Sequence, residues 1–201
     1  MNIYLILLIQ IMVAGGTHIV AKAVVGHVDA APLTFLRSIF STAGMVALLL
    51  IREKKIKIER KDWRLILLIG FLAIPLNQFL YLYGMKFSTA ANGALLYAST
   101  PVLVLLLSAL FMKERVTLRK VSGILLDFAG ITMVIFERGV DFSSDYTMGN
   151  AIIMIAVIAW AIFTIVGKPL ILKYGALQTT AVSAICGALM FAPFGLAATL
   201  S

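Results

Sequence analysis

Residues 88–136 read STAANGALLYASTPVLVLLLSALFMKERVTLRKVSGILLDFAGITMVIF, and the rest of the chain has to be consistent with this stretch. Ala91 to Met112 is a long apolar run, Lys113, Glu114 and Arg115 form a charged knot, and Val121 to Phe136 is a second apolar run. A helix rising 1.5 Å per residue needs about 20 apolar residues to cross about 30 Å of hydrocarbon. Two such runs joined by a short basic turn make a membrane hairpin. The side on which that turn lies fixes the direction of every other span.

Composition agrees. Of 201 residues, 62% are hydrophobic and 13% charged, against about 45–50% apolar and about 25% charged in a soluble domain. The net charge of +8 would suggest nucleic acid in a soluble chain. Here most basic residues stand in short loops between apolar spans, so the charge reports topology and no nucleic-acid partner is expected. Cys186 is the single cysteine, so neither a disulfide framework nor a Cys/His zinc spacing can be drawn, and no metal or cofactor is expected. An intramembrane enzyme has little support, because no GxSG, HExxH or Asp-rich motif occurs.

A window of about 20 residues yields seven candidate helices: Ile3 to Val25, Ala31 to Ile51, Leu65 to Gly84, Ser88 to Met112, Val121 to Phe136, Thr147 to Gly167 and Ala176 to Ala198. The fifth is short and contains Asp127. The first is expected to be a retained span and not a signal peptide, since residues 2 to 10 carry no basic side chain and the uncharged run is long. The expected fold class is therefore all-α, a polytopic transmembrane helix bundle.

The loop after the second helix carries Arg52, Lys54, Lys55, Lys57, Arg60, Lys61 and Arg64. The loop after the fourth adds Lys113, Arg115, Arg119 and Lys120, and Lys168 and Lys173 follow the sixth. The opposite loops hold only Lys86 and Arg138 as bases. Positively charged loops stay inside, so the N-terminus and these loops are expected to be cytoplasmic.

The first and sixth helices share a weak pattern, AGGTHIVAKAVV from Ala14 and WAIFTIVGKPLI from Trp160, with Lys22 in register with Lys168. A unit of five spans has an odd number of crossings, so its copy must enter upside down, as in the inverted repeats of many secondary transporters.

With these residues in view, the chain resembles the EamA-type domain of the drug/metabolite transporter superfamily. The opening stretch resembles the family's fourth and fifth helices, with a small-residue helix start, a mid-helix Pro101, an acidic-basic turn containing Glu114 and a glycine-bearing last helix. The segment PLTFLR, Pro32 to Arg37, resembles its second-helix entry, and Gly15 to Lys22 its first helix. The resemblance implies a ten-helix permease of two inverted five-helix repeats, of which this chain carries about seven helices. Residues 1–137 would be the first repeat, 138–146 an extracytoplasmic loop and 147–201 the first two helices of the second. It also implies alternating access in the cell inner (cytoplasmic) membrane, export of a small polar metabolite or amino-acid-like compound, and a proton as coupling ion. The expected partners are a small-molecule substrate, the bilayer and, as an option, a second copy in a homodimer. The competing expectation is an inactive or structural fragment that needs a C-terminal half or a partner.

Polar side chains inside spans are the site candidates, because a charge at mid-membrane costs about 2.5–3.5 kcal/mol on insertion scales. His18 and Lys22 share a face of the first helix with Gly15. They either line a pathway, or His18 bonds a neighbouring helix while Lys22 snorkels to the interface. Arg37 stands about 9 Å inside the second helix, where an anionic substrate group, a partner carboxylate or a structural role would explain it. Asn77 and Gln78 lie beside Pro75, which loosens the backbone ladder, and their amides offer donors and acceptors to a polar ligand or to other helices. Asn92 and Tyr97 repeat that theme before Pro101. Trp160 sits near the middle of the sixth helix, lining a cavity or packing in the core. Asp127 is the candidate for proton coupling, with a salt bridge or interhelical bonding as the favoured alternative. Gly123 and Gly130 are expected to be packing sites.

Overall fold

The computed structural model describes residues 3–52, 57–112, 117–138 and 144–200; a few side chains within these ranges, including that of Asp127, lie outside the description. The charged knot Lys113 to Arg115 and most of the segment 138–146 also lie outside the described residues. Every described element is helical: α1 (Ile3–Val25), α2 (Ala30–Arg52), a 3-10 turn (Arg60–Asp62), α3 (Trp63–Phe71), a π-helical turn (Leu72–Gln78), α4 (Phe79–Lys86), α5 (Ala90–Ala98), α6 (Thr100–Met112), α7 (Leu118–Arg138), α8 (Ser144–Tyr174) and α9 (Ala176–Leu200). Six stretches are long and apolar enough to cross a membrane: Leu8–Val25, Ala30–Arg52, Arg60–Lys86, Ala90–Met112, Tyr146–Tyr174 and Ala176–Leu200. The chain is thus a polytopic helical membrane protein. The expected fifth span forms α7, but Asp127 lies within it and charged residues flank its apolar part. That charge separates it from the six.

Prolines explain two irregularities. Pro75 has no N–H to close the α-helical ladder, and the backbone around it widens into the π turn. Pro101 likewise cannot donate to the carbonyl of Tyr97, and the Thr100 hydroxyl does so instead at 2.6 Å. The single helix expected from Ser88 to Met112 is therefore two, α5 and α6, meeting at Ser99. It also starts later than expected. Thr89 is the N-cap, its side-chain oxygen accepting the Asn92 N–H at 3.0 Å.

The sixth expected helix needs a correction. It does not stop at Gly167 but runs through Pro169 to Tyr174, so Lys168 and Lys173 belong to the helix and not to a loop. The extra turns are held by packing and pairing. Leu170 is buried with Ile66, Ile69, Val182 and Cys186, and Lys173 Nζ bonds Asp62 Oδ2 and Glu59 Oε1, both at 2.7 Å. Gly175, at φ 84°, then reverses the chain into α9; a left-handed residue just past a helix end favours glycine.

These contacts gather the basic groups. Gln178 Nε2 donates to the Lys57 carbonyl at 2.9 Å, and the Tyr174 hydroxyl to Asp62 Oδ2 at 2.5 Å. Lys120 and Lys168 line one cavity of about 440 Å³. The α2–α3 connection, the start of α7 and the end of α8 therefore share one end of the bundle. At the other end Lys86 pairs with Asp29 at 2.5 Å.

The core is the rod from α3 through α4, packed against α8 and α9. Its backbones come close at glycines. A Cβ on Gly70 would stand 2.6 Å from the Ser183 carbonyl oxygen and 2.9 Å from the Gly187 nitrogen, and one on Gly84 2.9 Å from the Gly149 carbonyl oxygen. Small residues that admit such approach are a general device of membrane helix pairs. Among the described residues Gly123 and Gly130 have no such neighbour. Both meet open space, because α7 presents those positions away from its neighbours.

Candidate functional site

The π turn at Pro75 sets the site. It carries Asn77, which is 6% exposed, between α5 and α8. One amide N–H of Asn77 donates to the Tyr97 hydroxyl at 2.6 Å and the other to the Ala156 carbonyl at 2.8 Å. Both donors of the amide are satisfied, so three elements are tied at one point. Tyr97 receives this bond and keeps its own hydroxyl proton to give.

One turn further, Tyr81 projects beside Asn77 in the i, i+4 relation. Its hydroxyl is hydrogen-bonded to His18 Nδ1 at 2.7 Å. His18 and the two tyrosines form an edge-to-face cluster, with ring centroids 5.0–5.6 Å apart. Such pairs each contribute about 0.5–1.5 kcal/mol beyond burial. This is how α1, which buries little of its own surface, is fastened to α4 and α5.

Around this cluster lies a cavity of about 440 Å³, whose walls include His18, Arg37, Asn77, Gln78, Tyr97 and Trp160. Six residues singled out from sequence thus meet in one space, drawn from α1, α2, the π turn, α5 and α8. Gln78 Oε1 is buried there with no hydrogen-bond partner among the described residues. Trp160 stacks on Phe163 at 4.8 Å and presents its indole to the cavity. Arg37 also borders a second cavity of about 390 Å³ along α1, reaching Met12 and Val24.

Two candidates stand elsewhere. Lys22 Nζ donates to the Met85 and Lys86 carbonyls, at 2.9 and 3.4 Å, so it caps the C-terminus of α4, where a cation complements the helix dipole. Asn92 is buried and its amide donates to Asn150 Oδ1 at 3.3 Å, an oxygen that also accepts from the Ser88 hydroxyl at 2.5 Å. That network pins the start of α5 to α8 and lies outside the cavity. The backbone of Asp127 is in α7, and its side chain lies outside the described residues.

Sequence reasoning missed Tyr81, Thr17 and Ala14 among the cavity walls. The signal for Tyr81 was present, four residues after Asn77 on the same face. Thr17 carries no such signal, because a helical Thr hydroxyl can bond its own helix, as this one does to the Val13 carbonyl at 2.9 Å. Among the described residues no group of His, Cys, Asp and Glu could hold a metal ion.

The sequence pattern of the EamA-like transporter family matches residues 1–136. The uncharacterized transporter YetK of Bacillus subtilis (strain 168) is 28% identical over 199 residues, covering 98% of this chain and 60% of the relative. The uncharacterized transporter YyaM of the same organism is 27% identical over 192 residues, covering 94% of this chain and 63% of the relative. A solved crystal structure superposes with a TM-score of 0.71 at 21% identity, over 90% of this chain and 62% of the other. The chain therefore spans 60–63% of the length of these curated relatives.

Proposed function

The chain belongs to the EamA-like transporter family, and from that premise we propose that it forms the substrate-handling part of a permease for a small polar metabolite or amino-acid-like compound. One observation carries this reading: the cavity at the π turn brings together His18, Arg37, Asn77, Gln78, Tyr97 and Trp160. A membrane protein does not retain so many polar groups around one space without a structural or functional return, since each costs free energy in hydrocarbon. The bonds of Asn77, His18 and Tyr81 account for the structural share. The buried Gln78 oxygen and the Arg37 guanidinium are left to a ligand.

In this proposal residues 1–137 are one repeat and 147–201 the start of an inverted second, with the cavity between them opening to each side in turn. The basic end faces the cytoplasm, as the positive-inside rule expects, in the cell inner membrane. Export is the direction proposed, with Asp127 as the proton-coupling candidate and a homodimer as the assembly. Labelling of the Arg60 to Arg64 segment by an impermeant reagent added outside intact cells would reverse the orientation.

The test is efflux. Vesicles containing the complete protein, and empty ones, are loaded with an isotope-labelled mixture of small polar metabolites. At least one compound is expected to leave the protein vesicles faster, and to be slowed about tenfold by Trp160→Ala with Gln78→Ala, the equivalent of about 1.4 kcal/mol. Identical loss of every compound from both sets of vesicles would refute the reading.

A further inference from the structure

Arg37 is the charged wall of this cavity, and no described side chain answers its charge. It sits seven residues past Ala30, the first residue of α2, or about 10 Å along the helix. Among the described residues it makes no hydrogen bond or ion pair. Asp29, the acid nearest in sequence, is taken by Lys86 at 2.5 Å. None of the described cavity walls is an Asp or Glu.

A guanidinium in such a place is costly unless an anion meets it. Its planar fork of donors fits a carboxylate through two parallel bonds. The other walls complement the same ligand. Tyr97 accepts from Asn77 and so has its proton to donate, while the Tyr81, Tyr97 and Trp160 rings that line the cavity offer apolar surface. A primary ammonium would find the Arg37 charge opposing it and no described carboxylate to receive it.

We infer that the cavity takes a small organic carboxylate, its anionic end on Arg37 and its apolar body against Tyr81, Tyr97 and Trp160. This rests on reading the cavity as the substrate pathway, and it narrows the substrate class to organic monoanions. Arg37 is then the specificity-determining residue.

Trp160 is a built-in reporter. The chain has two tryptophans, and the other, Trp63, lies at the start of α3, so the Trp63→Phe protein emits from Trp160 alone within this chain. The purified protein in non-ionic detergent is titrated with three probes of matched shape: benzoate, benzamide and benzylamine. Benzoate is expected to change Trp160 emission saturably, with benzamide at least about tenfold weaker and benzylamine weaker still. Arg37→Gln is expected to remove the benzoate advantage, and Arg37→Lys to keep a reduced part of it, because the charge stays and the fork is lost. Should Arg37→Gln fail to fold, the Arg37→Lys protein and the three-probe order in the parent still decide the matter.

Equal affinity for benzoate and benzamide would overturn the anion assignment while leaving the cavity a binding site. No saturable response to any probe would overturn both. A benzoate preference untouched by either substitution would remove Arg37 from the assignment.

Discussion

The two flanks of the α3–α4 rod are built differently. Toward α8 and α9 the backbones touch at Gly70, Gly84, Gly149 and Gly187, and 39% of the spanning window of each of those helices is buried. Toward α1 the corresponding share is 11%, and the link is made by side chains, His18 to Tyr81 and Lys22 to the end of α4. One flank is an interlocked scaffold. The other is a set of discrete bonds around a cavity, and it holds almost all of the polar residues that could meet a ligand.

This contrast can be broken by overfilling the scaffold. Gly70→Leu would drive a side chain into the backbone at Ser183 and Gly187, and overpacking of this kind costs about 3 kcal/mol at its upper range. The expected result is loss of the monodisperse peak on size exclusion in detergent. The matched change on the other flank, Gly15→Leu, stands at an exposed position where a Cβ meets nothing within 4 Å and should leave that peak intact. Equal damage at the two sites would erase the distinction.

A smaller effect sharpens it at the junction. Asn77→Leu removes the bonds to the Tyr97 hydroxyl and the Ala156 carbonyl and leaves the Tyr97 oxygen without that donor, at a cost of about 1–3 kcal/mol for an unsatisfied buried group. The midpoint of detergent-induced unfolding should fall accordingly. Tyr81→Phe removes one interhelical hydrogen bond, worth about 0.6 kcal/mol in membrane proteins, and should loosen α1 alone, seen as faster amide exchange in α1 with α8 and α9 unchanged.

The smallest effect lies at the basic end. Hydrogen bonds from Lys173 and then Lys61 hold the exposed Glu59 carboxyl below the usual carboxylate range. A depressed folded-state pKa gives stability that is present above the unfolded value and is lost as pH falls through the folded one. Solvent and salt screen an exposed group, so the difference between Glu59 and Glu59→Gln proteins should be slight, vanish in acid and shrink at high salt.

Much of this was legible in the chain. Hydropathy gave six of the seven expected spans, α7 standing apart because of its charge; Pro75 marked the irregular backbone, and polar residues inside spans pointed to the cavity because burial in hydrocarbon makes each one costly. The length of α8 was not legible, since Lys168, Pro169 and Lys173 have the composition of a loop, while the burial of Leu170 and the pairing of Lys173 with Glu59 and Asp62 that hold these turns come from distant residues. Nor was the separation of Lys22 and Asn92 from the cavity. Helical periodicity places a residue on a face, but which carbonyl or amide that face meets depends on partners 58 to 64 residues away.

The space beside Asn77 is proposed as a route for polar solute, and thiol accessibility shows whether water reaches its wall. In a Cys186→Ala background, Gln78→Cys places a thiol on the cavity wall and Leu82→Cys places one in the packed core. A water-soluble, membrane-impermeant thiol reagent applied to the folded protein in vesicles is predicted to modify Cys at position 78 and spare it at position 82. Protection of both positions would contradict the account.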